Sequence, residues 1–351
     1  MCLNVKRILK RGKIKLSTLG LSICLFCSLI VYLKMPYFVS GYFAVVRSNW
    51  TRILCEDSPD GNASDHVTDQ KTCCSERKDF KGRLEPSLSQ DNLDFPFISN
   101  GTWKPASCNP VQHVAVIIPF RNREEHLHIL LQSIVPILVK QKVHFHIFVA
   151  EQYGNQTFNK GRVMNAAFLE VSKMSDCDCY IFHDVDMIPE DDRIIYLCDD
   201  SPKHMSPAVD VFKYKLPYQY LVGGAIAFPK ADFIALNGYS NLYWGWGAED
   251  DDMSKRIMLN DAVITRQDKQ LARYRMIKHK PSEKDVEGRK YRFLSRTKDI
   301  HQEDGLNSIQ YNLISVQWTQ YYTHLMINVG PAPSNTDSID DIIRMVSWKN
   351  Y

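Results

Sequence analysis

From residue 113 onward, segments with the pattern of buried strands alternate with segments at helical spacing. Residues 113–119 (HVAVIIP) form an apolar, β-branched run that ends at a proline, which is typical of a strand buried on both faces of a parallel sheet. The alternation continues with a helix predicted over 123–141, a strand over 143–151, a helix over 160–173 and a strand over 180–183. This order predicts an α/β fold whose mostly parallel sheet is flanked by helices. Ligands of such folds bind at the carboxyl ends of the strands.

The N-terminus has the pattern of a membrane anchor. Residues 1–15 carry six basic side chains and no acid, and residues 16–33 are an uncharged run of 18 residues, the lower limit for crossing a bilayer. Flanking positive charge keeps the N-terminus cytosolic, so we expect a type II protein whose body lies across the membrane. The alternative is a cleaved signal peptide, but the run exceeds the usual length of about 7–15 residues and no small-residue cleavage site follows it.

Charge and composition limit what the body can do. The chain of 351 residues has a net charge of +3, which becomes −3 once the six basic side chains of residues 1–15 are set aside. A mildly acidic body argues against nucleic-acid binding, which needs a basic face. Residues 34–105 are rich in Asp, Ser, Asn and Lys without a sustained period, so we predict a stem there and a globular domain over 106–351.

Sequons and cysteines agree with an oxidising compartment on the far side of the membrane. Four N-x-S/T sequons follow the predicted anchor, and glycosylation is expected at the three in the polar segment, Asn49, Asn62 and Asn100. Seven of the ten cysteines also follow the anchor, so we expect disulfides and at least one thiol that is free or shared between chains. Zinc is the other common use of cysteine, but Cys177-x-Cys179 has the wrong spacing for it.

Two acids follow the predicted strand over 180–183. Residues i and i+2 of an extended chain point to the same side, so Asp184 and Asp186 should face one point at the mouth of the sheet. Their repulsion would raise one pKa, whereas a divalent cation removes the repulsion and can also hold a diphosphate. The structural alternative is an ordinary acidic loop, which the preceding strand and the following Ile188-Pro189 disfavour.

A second candidate cluster lies at residues 243–252 (YWGWGAEDDD), where four consecutive acids follow two tryptophans. A tryptophan offers a flat face to a sugar or base, glycines allow close approach, and a carboxylate can take a proton from an attacking hydroxyl. The structural alternative is the acidic N-terminus of a helix, and both can hold together. Met276-x-x-His279 is a weaker pattern, because a lone histidine is usually structural and a thioether is an odd ligand for a hard ion.

Six segments of the chain match one known family in order. They are 117–126 (IIPFRNREEH), 158–160 (FNK), 184–186 (DVD), 244–252 (WGWGAEDDD), 275–279 (RMIKH) and 304–308 (DGLNS). In these motifs the chain resembles the β-1,4-galactosyltransferase family over roughly residues 108–331. The resemblance implies a GT-A fold with a mixed, mostly parallel sheet, a type II Golgi membrane location with a lumenal body, and inverting transfer of a sugar from a UDP-sugar donor by a catalytic domain over 106–351.

The resemblance implies which residues bind the donor. It assigns the grip on uridine diphosphate and a stacking ring to Pro119, Phe120, Arg121, Arg123 and Phe158. It assigns the contacts to the donor and its sugar to Asp184, Gly224, Trp246 and Glu249. Lys160 stands where the family usually has arginine, which keeps the charge but loses a bidentate fork to phosphate, unless Arg162 substitutes.

The resemblance also implies a metal site and a catalytic base. Asp186, Met276 and His279 match the family's Mn²⁺ ligands, which overrides the weak chemical case for Met-x-x-His. Asp250 matches the catalytic base, which also binds the acceptor, and Asp251 matches a residue that holds the acceptor.

Further positions concern the acceptor and a loop. Tyr291 and Leu294 match an apolar pocket for the N-acetyl group of a terminal GlcNAc acceptor. Trp246 matches a loop that closes after donor binding, and Ala248 replaces a common glycine, which is expected to stiffen that loop. The family disulfides match Cys179 with Cys198, and Cys108 with either Cys73 or Cys74.

The identity of the donor sugar depends on residues 216–224 (LPYQYLVGG). Aligned without gaps, Leu221 stands where galactosyltransferases of the family carry a tyrosine that crowds the donor's 2-position. Members that transfer N-acetylgalactosamine carry a smaller aliphatic residue there. The sequence therefore predicts transfer of GalNAc from UDP-GalNAc to a terminal GlcNAc of glycoprotein or glycolipid glycans, with UDP-Gal as the alternative donor. A slip of one residue would place Tyr220 there instead.

Rival functions of other classes are less favoured. A membrane-tethered, metal-dependent lectin would also use tryptophan, acids and a cation, but it would not need the diphosphate grip predicted at 119–123. A manganese-dependent phosphoesterase would need ligands for a second metal, which the sequence does not offer. The oligomeric state is left open, with a homodimer as one option.

Overall fold

A mixed nine-stranded sheet with helices packed on it forms the centre of the structure. The computed structural model describes residues 53–55, 71–278, 288–334 and 337–347. Within these ranges no helix has both the length and the apolar character needed to cross a bilayer, and the anchor predicted at 16–33 lies outside them.

The strands and helices follow one another along the described chain in a mixed order. The strands are β1 (Thr102–Trp103), β2 (His113–Phe120), β3 (His144–Gln152), β4 (Cys179–His183), β5 (Met187–Pro189), β6 (Lys203–His204), β7 (Ala208–Val209), β8 (Ala225–Pro229), β9 (Thr265–Arg266), β10 (Arg273–Met276), β11 (Asn312–Trp318) and β12 (Thr323–Asn328). The α-helices are α1 (Glu124–Lys140), α2 (Lys160–Met174), α3 (Lys230–Ala235), α4 (Glu249–Leu259), α5 (Arg289–Ile300) and α6 (Ile339–Ser347), and 3-10 turns lie at Arg77–Asp79 and Asp210–Phe212.

Parallel strands form the centre of the main sheet and antiparallel strands flank them. The strand order is β11-β12-β3-β2-β4-β8-β6-β9, with β1 beside β3. Strands β12, β3, β2 and β4 are parallel, whereas β8 is antiparallel to β4 and β11 is antiparallel to β12. The predicted mixed sheet is confirmed: its four central strands are parallel, β9 is also parallel to β6 at one edge, and the remaining neighbours are antiparallel.

Strand β2 is buried because helices pack on the sheet that contains it. Successive residues of a strand point to opposite faces, and Val114, Val116 and Ile118 join the apolar side of α1 in one core. Helix α2 packs on β2 and β3, and every residue from Val114 to Phe120 is buried. The five predicted elements between residues 113 and 183 are confirmed, each bound lying within one residue of its prediction.

Part of the predicted stem belongs to the folded body. Strand β1 pairs with β3, and Ile98 lies in the core. The carboxylate of Asp192 accepts hydrogen bonds from the amides of Lys81 and Gly82, both at 2.8 Å. The boundary predicted between residues 105 and 106 therefore falls inside the folded body, because these aperiodic segments are held by contacts with residues far along the chain.

Three disulfides join the described cysteines: Cys55–Cys74, Cys73–Cys108 and Cys179–Cys198. The pairing of Cys179 with Cys198 is confirmed, and Cys73 is the partner of Cys108. Cys177 is a buried free thiol, which agrees with the odd number of cysteines after the predicted anchor.

A second sheet of three strands, in the order β5-β10-β7, carries one end of the candidate site. Strand β10 is antiparallel to β5, which pairs Met276 with Met187, and it is parallel to β7. This pairing brings the end of β10 next to the acids that follow β4.

Candidate active site

A cavity of about 1230 Å³ opens at the carboxyl ends of β2 and β4. Most of the predicted site residues line it: Pro119, Arg121, Arg123, Phe158, Lys160, Asp184, Asp186, Leu221, Gly224, Trp246, Glu249, Asp250, Asp251, Met276, Tyr291 and Leu294. Phe120 is the exception in the described part of the chain. Its side chain is 5% exposed and packs in the apolar core, because neighbouring residues of β2 point to opposite faces.

The two acids after β4 lie on a turn and not in an extended chain. The amide of Met187 donates to the carbonyl of Asp184, at 3.2 Å, and closes this turn. Asp184 contacts Lys160, whereas the carbonyl of Asp186 accepts a hydrogen bond from the amide of Ile277. Both acids line the cavity, and a turn takes the place of the extended chain that the sequence predicted here.

Asp186 and Met276 are brought together by the pairing of β5 with β10. Met276 pairs with Met187, and the distance from the Ile277 amide nitrogen to the Asp186 carbonyl oxygen is 2.8 Å. The carboxylate of Asp186 suits a hard divalent cation. His279, the third predicted ligand, lies outside the described residues. In the ranges given above, no group of three or more His, Cys, Asp or Glu side chains could hold a metal, so the fit rests on these two donors together with His279.

Lys160 forms ion pairs with acids from two elements. Its Nζ lies 2.6 Å from Asp184 Oδ1 and 3.4 Å from Glu249 Oε1. Burial lowers the pKa of Lys160, but the two carboxylates outweigh this effect and hold the pKa well above its ordinary value. The side chain is therefore charged, and it ties α2 to the turn after β4 and to α4.

Arg162 does not take the place of the missing arginine. Its Nε donates to the carbonyl of Asn241 at 3.0 Å, and its Nη1 donates to the carbonyl of Val329 at 2.7 Å. Its guanidinium carbon lies 5.2 Å from the centroid of a Trp244 ring. These contacts direct its donors to neighbouring backbone, so it does not supply the fork that Lys160 lacks.

Asp250, in the first turn of α4, is a half-buried carboxyl whose protonation changes near neutral pH. Burial, and then the charges of Glu249 and Asp251, raise the pKa of Asp250 to about 7, against the opposing effect of Lys160. Its Oδ1 accepts a hydrogen bond from the Asp251 amide at 3.0 Å. A carboxyl with a pKa near neutrality can take a proton from a hydroxyl bound in the cavity.

The position of Asp250 depends on a glycine that the motifs did not single out. A Cβ atom at Gly223 would lie 2.5 Å from Asp250 Oδ2, so any side chain there would displace the carboxylate. At Gly224, a Cβ atom would instead meet the hydroxyl of Ser206, at 2.5 Å. The sequence signal for this contact was the pair of adjacent glycines, Gly223 and Gly224. Only Gly224 matches a position to which the family resemblance gives a role.

The four acids that begin α4 have different roles. Asp251 faces the cavity and accepts a hydrogen bond from the Tyr218 hydroxyl at 2.8 Å. Asp252 is 1% exposed and belongs to a buried network. Its carboxylate accepts hydrogen bonds from Arg256 Nε (2.6 Å), the Tyr243 hydroxyl (3.0 Å) and the Thr297 hydroxyl (2.7 Å).

Arg256 is the centre of that network. It is fully buried, and its Nη2 lies 3.1 Å from Asp304 Oδ2. Burial lowers the pKa of Arg256, but Asp252 and Asp304 raise it above its ordinary value, so the guanidinium is charged. The network fixes α4 against α5 and against Tyr243, the residue that precedes the tryptophan segment.

Trp246 lies at the rim of the cavity and is 66% exposed. The Nζ of Lys290 lies 5.3 Å from the centroid of its ring and 5.4 Å from that of Tyr291, within range of cation–π attraction. Ala248 has a φ of 76°, a left-handed conformation that costs a residue with a Cβ about 1–2 kcal/mol. The loop therefore joins α4 through a strained residue and contacts α5 through Lys290.

Leu221 and Tyr220 both line the cavity, at different depths. Leu221 is half-buried, whereas Tyr220 is 47% exposed. Arg266 fixes this segment, since its Nη2 donates to the carbonyls of Gln219 and Leu221 at 2.8 and 3.1 Å. Leu221 thus contributes to the inner wall and Tyr220 to the rim.

The chain matches two protein-family models. One is described as the N-terminal region of glycosyl transferase group 7 and matches residues 74–199, and the other as the N-terminal domain of galactosyltransferase and matches residues 203–280. In structure, the chain is similar to a mutant of Drosophila β-1,4-galactosyltransferase 7 in complex with manganese, UDP-Gal and xylobiose. That match has a TM-score of 0.55 and 27% identity, and it covers 63% of this chain and 95% of the other.

Similar proteins found by sequence comparison also carry the name β-1,4-galactosyltransferase. Human β-1,4-galactosyltransferase 2 is 42% identical over 240 residues, which cover 68% of this chain and 64% of the human protein, less than two thirds of its length. β-1,4-Galactosyltransferase 4 of Cricetulus griseus is 34% identical over 304 residues, which cover 84% of this chain and 86% of that protein.

Asp251 faces the cavity and Asp252 belongs to the buried network, so substitutions at these two positions should change the stability by different amounts. Asp252→Asn should lower the free energy of unfolding by about 3 kcal/mol, because it removes one of the two charges that compensate the buried Arg256. Asp251→Asn, the matched control, should change it by no more than about 0.5 kcal/mol. Denaturant-induced unfolding measures both, and equal losses would contradict the separation of a structural acid from a site acid.

Proposed function

The chain belongs to the β-1,4-galactosyltransferase family, and on this basis we propose that it is a metal-dependent, UDP-sugar-using glycosyltransferase. It adds a sugar in β-1,4 linkage to a terminal GlcNAc of a glycan, with inversion at the donor's anomeric carbon. The observation that carries the proposal is the half-buried Asp250 carboxyl, with a pKa of about 7, in a cavity that also contains Asp186 and Met276. The named relatives and the Drosophila complex with manganese, UDP-Gal and xylobiose support it.

The nucleotide binds at the carboxyl end of β2. The guanidinium carbon of Arg121 lies 5.1 Å from the centroid of the Phe158 ring, so a cation and an aromatic face meet at this wall of the cavity. Arg123 immediately precedes α1, lines the same cavity and adds a second positive charge for the diphosphate. Lys160 keeps its positive charge in the cavity, but it is already paired with Asp184 and Glu249.

The metal site would be formed by Asp186 and Met276, with His279 as a third ligand. When bound there, Mn²⁺ neutralises the diphosphate and makes it a better leaving group. The chain's own contribution is to hold the backbones of Asp186 and Met276 next to each other through the pairing of β5 with β10.

Asp250 acts as the general base. Its carboxylate takes the proton from the acceptor's 4-hydroxyl while that oxygen attacks the anomeric carbon of the donor. The new carbon–oxygen bond forms as the bond to the diphosphate breaks, and UDP leaves with the electron pair, so one displacement inverts the α-linked donor. A positioned base contributes a factor of about 10²–10⁴ in rate. Asp251, fixed by Tyr218, orients the acceptor, and Tyr291 and Leu294 contact its N-acetyl group.

The comparisons favour galactose as the donor sugar over the GalNAc expected from Leu221. The relatives are named galactosyltransferases, which supports UDP-Gal. UDP-GalNAc is the second candidate, because the half-buried aliphatic side chain of Leu221 on the cavity wall leaves room for a 2-acetamido group.

The compartment we propose is the Golgi lumen, with the chain held in the membrane by residues 16–33. The three disulfides support an oxidising environment. Asn100 is exposed on a turn, where a glycan can be attached. Asn49, Asn62 and the anchor segment lie outside the described residues.

Replacing the base separates chemistry from donor binding. Asp250→Asn keeps the size of the side chain but removes its basicity, so kcat should fall by about 10²-fold or more. The affinity for UDP in the presence of manganese, measured by calorimetry, should stay unchanged. Loss of both together would contradict the assignment and point to a role in folding.

The raised pKa of Asp250 predicts the pH dependence of transfer. The base must be unprotonated, so kcat/KM should rise with pH up to about 7 and then level off. Asp251→Asn removes one of the charges that raise this pKa and should move the inflection to lower pH. A flat profile across neutral pH, or an inflection that does not move, would contradict this account.

Donor choice should depend on Leu221. Leu221→Tyr narrows the inner wall, so the ratio of kcat/KM for UDP-Gal to that for UDP-GalNAc should rise by about tenfold or more. Tyr220→Leu is the matched control at the rim. If only the Tyr220 variant changed the ratio, the donor-facing position would be Tyr220 and the assignment of Leu221 would be wrong.

A further inference from the structure

The carboxylate of Asp210 continues the strand pairing that holds Met276. Strand β7 ends at Val209, and its parallel pairing with β10 reaches only as far as Tyr274. Beyond that point β7 offers no further backbone partner to β10. The amide of Met276 instead donates to Oδ1 of Asp210, at 2.9 Å.

Asp210 is itself held firmly. Its Oδ1 also accepts a hydrogen bond from the Val211 amide at 2.8 Å, and the Tyr214 amide donates to the carbonyl of Val209 at 2.9 Å, which closes the turn. Lys213 and Tyr214 have φ values of 53° and 55°. Residues with a side chain adopt this region only when the surrounding structure requires it, so the turn has little freedom to move.

The turn and β10 are also joined through side chains. The guanidinium carbon of Arg273 lies 3.4 Å from the centroid of the Tyr214 ring. Arg275 Nη2 lies 3.2 Å from Glu190 Oε1, and the Tyr214 hydroxyl donates to the same oxygen at 3.3 Å. The turn, β10 and the residue after β5 therefore form one connected unit.

Met276 is thus held from two sides. On one side, the Ile277 amide donates to the carbonyl of Asp186, which ties the end of β10 to the other described metal-site residue. On the other side, the Met276 amide is held by Asp210. Together these two hydrogen bonds fix the backbone from which the Met276 side chain extends next to the backbone of Asp186.

We propose that Asp210 is a positioning residue for the metal site. It acts through the Met276 backbone, and its role is that of a hydrogen-bond acceptor and not of a charge. The inference rests on the proposed function, because Met276 and Asp186 bind the cation only if that function is correct. Residues that orient metal ligands in this indirect way commonly contribute about 10–100-fold to metal affinity.

The test compares two substitutions at Asp210 in the 351-residue chain. Asp210→Ala removes the acceptor, whereas Asp210→Asn keeps a carbonyl oxygen in the Oδ1 position without the charge. The matched control is Asp268→Ala, which removes another aspartate that accepts a hydrogen bond from a nearby amide, that of Gln270 at 2.8 Å, without contacting Met276. Calorimetric titration with Mn²⁺ alone measures the Kd, and thermal unfolding in a chelator measures stability without metal.

We expect the Mn²⁺ Kd to rise about tenfold in Asp210→Ala and to stay within about twofold of the wild type in Asp210→Asn and Asp268→Ala. An unchanged Kd in Asp210→Ala, or an equal loss in Asp210→Asn, would overturn the inference, the latter because it would assign the effect to charge. If Asp210→Ala does not fold, Asp210→Ser, with a shorter reach, replaces it in the comparison. If the wild-type chain itself binds no Mn²⁺, the proposed metal site fails, which is a different outcome from loss of this inference.

Discussion

The buried ion pairs of Arg256 are the interaction on which the site depends. Four consecutive acids at the start of one helix repel one another, and the helix dipole offsets only part of that repulsion. Arg256 lies one turn after Asp252, which places its guanidinium against that carboxylate, and Asp304 completes the pairing. Asp252 is thereby removed from the cavity, and the first turn of α4 is fixed with Asp250 and Asp251 facing inward.

A second positive charge, that of Lys160, balances the cavity itself. It lies between Asp184 and Glu249, so these two carboxylates do not stand unpaired against Asp250. Asp250 then keeps a pKa near neutrality, so that about half of its carboxyl groups are unprotonated at neutral pH and can serve as the base we propose. A guanidinium in place of Lys160 could bind a phosphate with two parallel hydrogen bonds, whereas the single ammonium is already held by two acids.

The parts of the structure that were predictable are those set by local pattern. Strand β2 is buried on both faces, so the apolar run in the sequence marks where the strand begins and ends. The following helix carries apolar residues about once per turn, which marks it in the same way. The family resemblance places Phe120 in the site together with its neighbours Pro119 and Arg121. Successive residues of a strand point to opposite faces, however, and the Phe120 side chain lies in the core. Asp184 and Asp186 were expected on an extended chain, whereas the structure places them on a turn.

The contributions that were missed depend on contacts between distant residues. Gly223 matters only because Asp250 comes within reach of it, and Asp210 matters only because β10 lies beside the end of β7. The adjacent glycines at 223 and 224 were a weak signal for the first contact, whereas an aspartate at the end of a short strand gives no sign of the second.

The most direct test of the account is the initial rate of sugar transfer to a GlcNAc-terminated acceptor, measured with UDP-Gal and UDP-GalNAc, with manganese or with a chelator. The account predicts manganese-dependent formation of a β-1,4-linked product, with its anomeric configuration read by NMR. Transfer that is unaffected by the chelator, an α-linked product, or no transfer from either donor would contradict it.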